Sequence, residues 1–198
     1  MTQQAFIKKL LRWGSKHQRK FPWRKTKNPF HILLAEIMLQ KTNAEMVAKI
    51  YPRFIQKYKT PQALAHANLR TLKKELHYLG IHDRARRMKL TAAKIEKQFN
   101  GKVPQSREAL LALPRVGPYV ANAVLCFAFN KEAALVDTNV INILKKFLNI
   151  KSKQKRPRND RRLWFKVEKM IPRGRSTLFN RSIIDLSAYI KKYKKIPI

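Results

Sequence analysis

Residues 119–129, Tyr-Val-Ala-Asn-Ala-Val-Leu-Cys-Phe-Ala-Phe, are apolar nearly all the way round a helix. A helix with no polar face is stable only when other elements cover it on every side, so it is expected at the centre of the fold. It follows directly on Leu113-Pro114-Arg115-Val116-Gly117, a short Pro/Gly turn that joins it to an earlier helical run starting at Ser106. The rest of the chain supplies the cover. Phe6, Ile7, Leu10 and Leu11 form a stripe ending at Gly14, and Pro29 opens a run over residues 30–39. Met46, Val47, Ile50, Tyr51, Phe54 and Ile55 repeat at helical spacing. Thr60-Pro61 reads as a cap with proline at the first helical position. Leu69, Leu72, Leu76 and Leu79 follow, closed by Gly80, and a run over 83–99 is closed by Asn100-Gly101. Asp137 opens a run with Val140, Ile141, Ile143, Leu144 and Phe147. After a basic connection over 151–162, two closing helices carry Trp164, Val167 and Met170, then Leu178, Ile183 and Leu186. Alternating strand patterns are scarce and no fixed-period repeat is evident, so the expected class is all-α.

The surface that such a core leaves is basic. Lys and Arg number 45 against 11 acids, for a formal charge of +34, while 44% hydrophobic residues indicate a globular chain. A phosphate polymer is the natural partner. An anionic membrane is the rival, but no apolar run approaches spanning length, no lipidation motif appears, and no basic amphipathic helix shows an exposed aromatic face. Gln3, Gln4, Lys8 and Lys9 interrupt any signal-peptide core. Cys126 is the only cysteine, which excludes disulfides and cysteine-clustered metal or iron–sulfur sites within one chain. The expected location is a reducing cytoplasm, in association with the nucleoid.

Two carboxylates stand out. Glu36 is the only charge in Ile32-Leu33-Leu34-Ala35-Glu36-Ile37-Met38-Leu39. Burial there would favour the protonated carboxyl and suit it to general-acid work, although a Glu paired with Lys or Arg at a helix edge would read the same. Asp137 follows Ala133-Ala134-Leu135-Val136 and precedes a helix. It is a favoured N-cap, worth about 1 kcal/mol, yet a capping carboxylate can still face a developing cation or orient a water. Glu36 protonated beside a charged Asp137 would be a divided acid/base pair. In the hairpin, Pro114 fixes φ and Gly117 permits close approach of a ligand, so the turn amides and the helix start behind them could cradle a phosphate; a plain helix–helix turn is the alternative. Lys41, Arg84, Arg86, Arg87, Arg115, Arg173 and Arg175 lie at turns or helix ends, where such charges are mostly solvated. His31, His66, His77 and His82 have no ligand spacing with Asp or Glu, and no metal site is expected.

Taken together, these segments resemble the helix-hairpin-helix DNA glycosylases (endonuclease III-like), over about residues 21–188. Within that superfamily the chain is similar to the monofunctional branch that holds the adenine glycosylases and the archaeal thymine/uracil mismatch glycosylases. The resemblance rests on Phe21-Pro22-Trp23-Arg24, on Glu36-Ile37-Met38-Leu39-Gln40 with Thr42, on Leu113-Pro114-x-Val116-Gly117, on Val136-Asp137-x-Asn139-Val140, and on Asp185-Leu186-Ser187-Ala188. It implies flipping of the target nucleotide out of double-stranded DNA and hydrolysis of its N-glycosidic bond. It casts Glu36 as the acid near the base, Asp137 as the carboxylate that stabilises an oxocarbenium-like sugar, and Asn139 as the residue that orients water or sugar. Tyr119 falls where bifunctional relatives carry a Schiff-base lysine. Neither 118 nor 119 is Lys, so β-lyase activity by that route is not expected. Lys41 falls where relatives insert a polar wedge into the helix gap, and Gln40 beside it is expected to bind DNA. Arg115, Val116 and Gly117 would hold a backbone phosphate, and a monovalent cation is a further candidate ligand of the hairpin.

Three departures from the pattern matter. Arg115 stands where a hairpin glycine is usual, and if that position needs positive φ it costs about 1 kcal/mol. Lys191-Lys192-Tyr193-Lys194-Lys195 stands where a four-cysteine iron–sulfur loop would begin, so no cluster is expected. No C-terminal domain of the kind with which adenine glycosylases sense 8-oxoguanine is expected, and on that expectation thymine or uracil opposite guanine is the favoured substrate. Adenine opposite 8-oxoguanine or guanine is the alternative, and a non-catalytic, architectural DNA-binding protein is the alternative from another class. The expected architecture is two helical subdomains, residues 23–131 with the hairpin at 113–117 and residues 1–22 plus 132–198, with the base-binding cleft between them in a monomer. With no cluster, Trp164, Phe165, Phe179 and Tyr189 are the expected core of the C-terminal part.

Overall fold

The computed structural model describes residues 1–80 and 83–198; His82 lies outside the described residues. The described residues form eleven α-helices and three short 3-10 turns, with no strand. Most helix starts are set by a side-chain oxygen that accepts an otherwise orphaned amide. Thr2 caps α1 (Gln3–Lys16), Asn28 caps α2 (Pro29–Leu39) and Asn43 caps α3 (Ala44–Lys57). Thr60 caps α4 (Pro61–Ala65) and Asn68 caps α5 (Leu69–Glu75). α6 (Arg84–Phe99) ends in a left-handed Asn100, as the Asn-Gly pair foretells. Ser106 caps α7 (Arg107–Leu111), and α8 (Pro118–Phe127) begins on a proline behind Gly117. Asp137 caps α9 (Thr138–Leu148), Asp160 caps α10 (Arg161–Met170), and α11 (Ser176–Tyr193) closes the fold.

Two helix boundaries differ from the sequence reading. The leucine run at 69–79 breaks at Leu76, and a 3-10 turn over His77–Leu79 carries it on to Gly80. Gly14 does not end α1 but lies inside it, because α1 packs against α11 so closely that a Cβ on Gly14 would collide with Ser182 Oγ. Glycine serves there as a contact surface, a use that its helix-breaking tendency conceals.

The chain divides into two compact units, Lys20–Phe129 and Met1–Arg19 with Asn130–Ile198. In Lys20–Phe129, α2 packs against α8 and α4 against α6. α8 is buried along nearly its whole length, the consequence of its apolar circumference. Phe21 stacks on Trp23 with ring centroids 4.7 Å apart, and Trp23 meets Tyr51 edge-on.

The other unit is built from α1, α9, α10 and α11 around Phe6, Leu10, Val140, Leu144, Leu163, Val167, Phe179, Ile183 and Leu186. The expected aromatic core is corrected here. Phe179 is at its centre and Trp164 and Tyr189 pack at its margin, but Phe165 is 60% exposed. The reason is rotational. Leu163, Val167 and Met170 are the buried face of α10, and a residue two positions after Leu163 is turned roughly 200° away from that face. Buried Asp185 on α11 accepts from both Arg19 N–H (3.1 Å) and Arg19 Nε (2.8 Å), which ties the chain beyond α1 to this unit.

Candidate active site

Asp137 stands at the end of a buried segment, residues 133–136, that belongs to no helix and has no β partner. A buried backbone must find hydrogen bonds elsewhere, and α11 supplies them from side chains. Asn180 Oδ1 accepts from Leu135 N–H at 3.1 Å, while Asn180 Nδ2 donates to Ala133 C=O at 2.9 Å. Ser176 Oγ accepts from Ala133 N–H at 3.3 Å. A single side-chain amide thus plays the part of a neighbouring strand. The segment delivers Asp137 half-buried to the start of α9, where Asp137 Oδ1 accepts from Val140 N–H at 2.8 Å. The other oxygen, Oδ2, accepts from Asn139 Nδ2 at 2.7 Å. Both oxygens are therefore engaged: one caps the helix, and the other is held by an adjacent amide.

In the other unit Glu36 is 6% exposed on α2, whose residues from Phe30 to Met38 are buried apart from His31. α2 ends in a loop that carries Gln40 and Lys41. Lys41 is exposed, with a φ of 55°, left-handed for a non-glycine residue. What holds this loop is Arg84, expected from the sequence to be solvated but found 1% exposed. Its Nη1 donates to Leu79 C=O at 2.8 Å, and its Nη2 donates to Gln40 C=O at 2.6 Å and to Thr42 Oγ1 at 2.9 Å. Thr42 Oγ1 in turn donates to Leu79 C=O at 2.8 Å. Burial, and secondarily the charge of Arg87, pushes the Arg84 guanidinium down to about 10, so it remains charged at neutral pH. The signal for this was present in the sequence. Arg84 lies four residues before Met88 and falls on the same helix face as Thr91, Ala92 and Ile95, all buried.

The hairpin is fastened to α6 as well. Thr91 Oγ1 donates to Pro114 C=O at 2.9 Å, and Lys94 Nζ donates to Ala112 C=O at 2.8 Å. Val116 is buried and its N–H donates to Leu113 C=O at 3.2 Å, closing the turn. Arg115 is exposed with a φ of 61°, so the position does require the left-handed conformation, at a cost of about 1 kcal/mol for a residue with a Cβ. Gly117 is extended, and a Cβ there would meet nothing within 4 Å. Neither φ nor internal packing demands glycine at 117, which leaves approach by an external group as the physical use of the missing side chain. No side chain caps α8, and Tyr119, half-buried, sits in its first turn.

Residues 34–169 match the HhH-GPD superfamily of base excision DNA repair proteins. The chain belongs to this superfamily. It is 34% identical over 189 residues to the thymine/uracil-DNA glycosylase of Methanothermobacter thermautotrophicus, covering 95% of this chain and 85% of that protein. The structure superposes on that of a thermostable thymine-DNA glycosylase with a TM-score of 0.91 at 34% identity, over 98% of this chain and 89% of that one. The adenine DNA glycosylase of Buchnera aphidicola subsp. Baizongia pistaciae is 31% identical over 191 residues, which cover 96% of this chain but 54% of that protein. An iron–sulfur cluster does not fit these residues. The sole thiol, Cys126, is buried in α8, and α11 runs on through Lys191 and Lys192 to Tyr193. Among the described residues no group of three or more His, Cys, Asp or Glu could hold a metal ion, and no helix is long and apolar enough to cross a membrane.

Proposed function

We propose that the chain is a monofunctional DNA glycosylase that removes thymine or uracil opposite guanine from double-stranded DNA, leaving an abasic site. The observation that carries the substrate reading is the likeness to a thymine/uracil-DNA glycosylase over nearly the full length of both proteins. The chemistry assigned to the residues follows from charge. Loss of the base leaves positive charge on the deoxyribose, and Asp137, its carboxylate fixed by Val140 N–H and Asn139 Nδ2, stabilises that charge. Asn139 orients the attacking water or the sugar. Glu36, buried on α2, serves as the acid toward the departing base. Tyr119 stands where a Schiff-base lysine would be needed for strand cleavage, so the reaction ends at hydrolysis. Lys41 enters the helix gap left by the flipped nucleotide with Gln40 binding DNA beside it, while Arg115, Val116 and Gly117 lie along the DNA backbone.

A duplex panel tests the reading. Oligonucleotides with a central T:G, U:G, A:G or A:8-oxoguanine pair are incubated with the protein, and abasic sites are revealed by alkali. Release from T:G and U:G alone is the expected result. Release from A:8-oxoguanine or A:G alone would establish an adenine glycosylase, and silence on all four would establish a non-catalytic DNA-binding protein.

A further inference from the structure

α11 meets the Asp137 loop at two places. Ser176 and Asn180 hold the buried segment that leads into it. Lys191 lies eleven residues beyond Asn180 on the same helix, about three turns, which returns it to nearly the same face. Its Nζ donates to Asn139 Oδ1 at 2.6 Å, and Asn139 Nδ2 donates to Asp137 Oδ2 at 2.7 Å. This chain of bonds has a direction. An ammonium group offers only donors, so it takes the amide oxygen and turns the amide NH2 toward the carboxylate. The reversed amide would face NH2 to ammonium and oxygen to carboxylate, repulsive at both ends. Donation to the amide oxygen also polarises the NH2 that Asp137 accepts.

We propose that Lys191 is a positioning residue for the glycosylase reaction, locking the Asn139 amide and, through it, the second oxygen of the Asp137 carboxylate. This rests on the reading of Asp137 as the catalytic carboxylate. Asn139 and Asp137 are both only half-buried, and an amide anchored at one end can swing into solvent, whereas one anchored at both ends cannot. Small misplacements of a reacting group cost rate more than binding. The rival role for an exposed lysine in a strongly basic segment is a contact to a DNA phosphate, and it makes the opposite forecast: weaker, more salt-sensitive binding with the chemical step intact.

Single-turnover base release from a T:G duplex, and affinity for a duplex carrying a reduced abasic site, are measured for wild type, Lys191→Met, Lys191→Arg, Asn139→Ala and the Lys191→Met/Asn139→Ala double variant. Lys191→Met is expected to slow release about tenfold with binding unchanged. Lys191→Arg should recover most of that loss. The double variant should be no slower than Asn139→Ala alone, because the lysine acts through the amide. Additive losses, an unchanged rate, or a loss confined to affinity would each overturn the proposal. If wild type releases no base from any duplex, the assigned activity fails. The positioning role is still read from the Asn139 side-chain amide resonances, identified by their loss in Asn139→Ala: they move in Lys191→Met if the lysine holds the amide, and an unmoved signal overturns it.

Discussion

Asp137 and Arg115 show how differently single residues can be read. Asp137 looks like a helix cap in the sequence and is one in the structure, with Oδ1 on Val140 N–H. Asn is as good a cap as Asp, so Asp137→Asn separates the two roles. The cap on Val140 N–H is kept but the new NH2 can no longer accept from Asn139 Nδ2, so we expect melting lowered by about 5 °C, retained binding to duplex DNA, and single-turnover base release lowered about a thousandfold. Full activity in this variant would sink the assignment of the carboxylate. Arg115 carries a conformation that suits glycine better, with a φ of 61°. Arg115→Gly removes the Cβ strain while adding freedom to the unfolded chain, and strain relief is the larger effect. The expected gain is about 0.5 to 1 kcal/mol in denaturant unfolding, accompanied, on the proposed phosphate contact of the hairpin, by weaker DNA binding with a shallower salt dependence. The sequence pointed to both residues by type and place, but only the backbone angle shows that the Arg115 position is left-handed.

At the scale of elements, α11 does two jobs, and its amphipathic pattern announces only one of them. Its apolar face, with Phe179, Ile183 and Leu186, builds the core and was legible from spacing. Its polar buried residues, Ser176 and Asn180, replace the hydrogen bonds of a missing strand neighbour for residues 133–135. Asn180→Leu leaves Leu135 N–H and Ala133 C=O buried without that partner. The variant should lose about 2 to 3 kcal/mol in denaturant unfolding, and its base release should fall further than the loss of folded protein explains, since the segment positions Asp137. A stability change below about 0.5 kcal/mol would show that water replaces the amide. The loop at 40–42 teaches a similar lesson. Arg84 looked like one more surface cation beside Arg86 and Arg87, but helical phase puts it on the buried face of α6. Its three acceptors come from positions 40, 42 and 79, which only folding brings together. Phe165 is the reverse case, an aromatic assigned to the core whose phase on α10 turns it outward.

The whole molecule is governed by its charge of +34. Like charges spread over a small protein repel one another and attract a polyanion, and salt screens both effects. Raising the salt from about 50 to about 200 mM should therefore raise the melting temperature while weakening DNA binding about a thousandfold; thermal melting and fluorescence anisotropy on the same samples check the opposed signs. A melting temperature that fell with salt would mean that attractive pairs outweigh repulsion in the folded state. The composition, the helical periodicity and the cap residues determined by themselves that this chain is all-helical and basic, and the short motifs at 36–40, 113–117 and 136–140 carried its resemblance to a base excision repair superfamily. The helical class and the charge follow from local preference and summed charge, which need no knowledge of what lies beside what. Tertiary structure alone decided that Arg84 clamps residues 40–42, that Gly14 is a contact surface, that Asn180 stands in for a strand, and that Lys191 reaches Asn139. Each depends on residues distant in sequence meeting at bonding distance, and hydrogen bonds, unlike hydrophobic periodicity, leave no repeating trace along the chain.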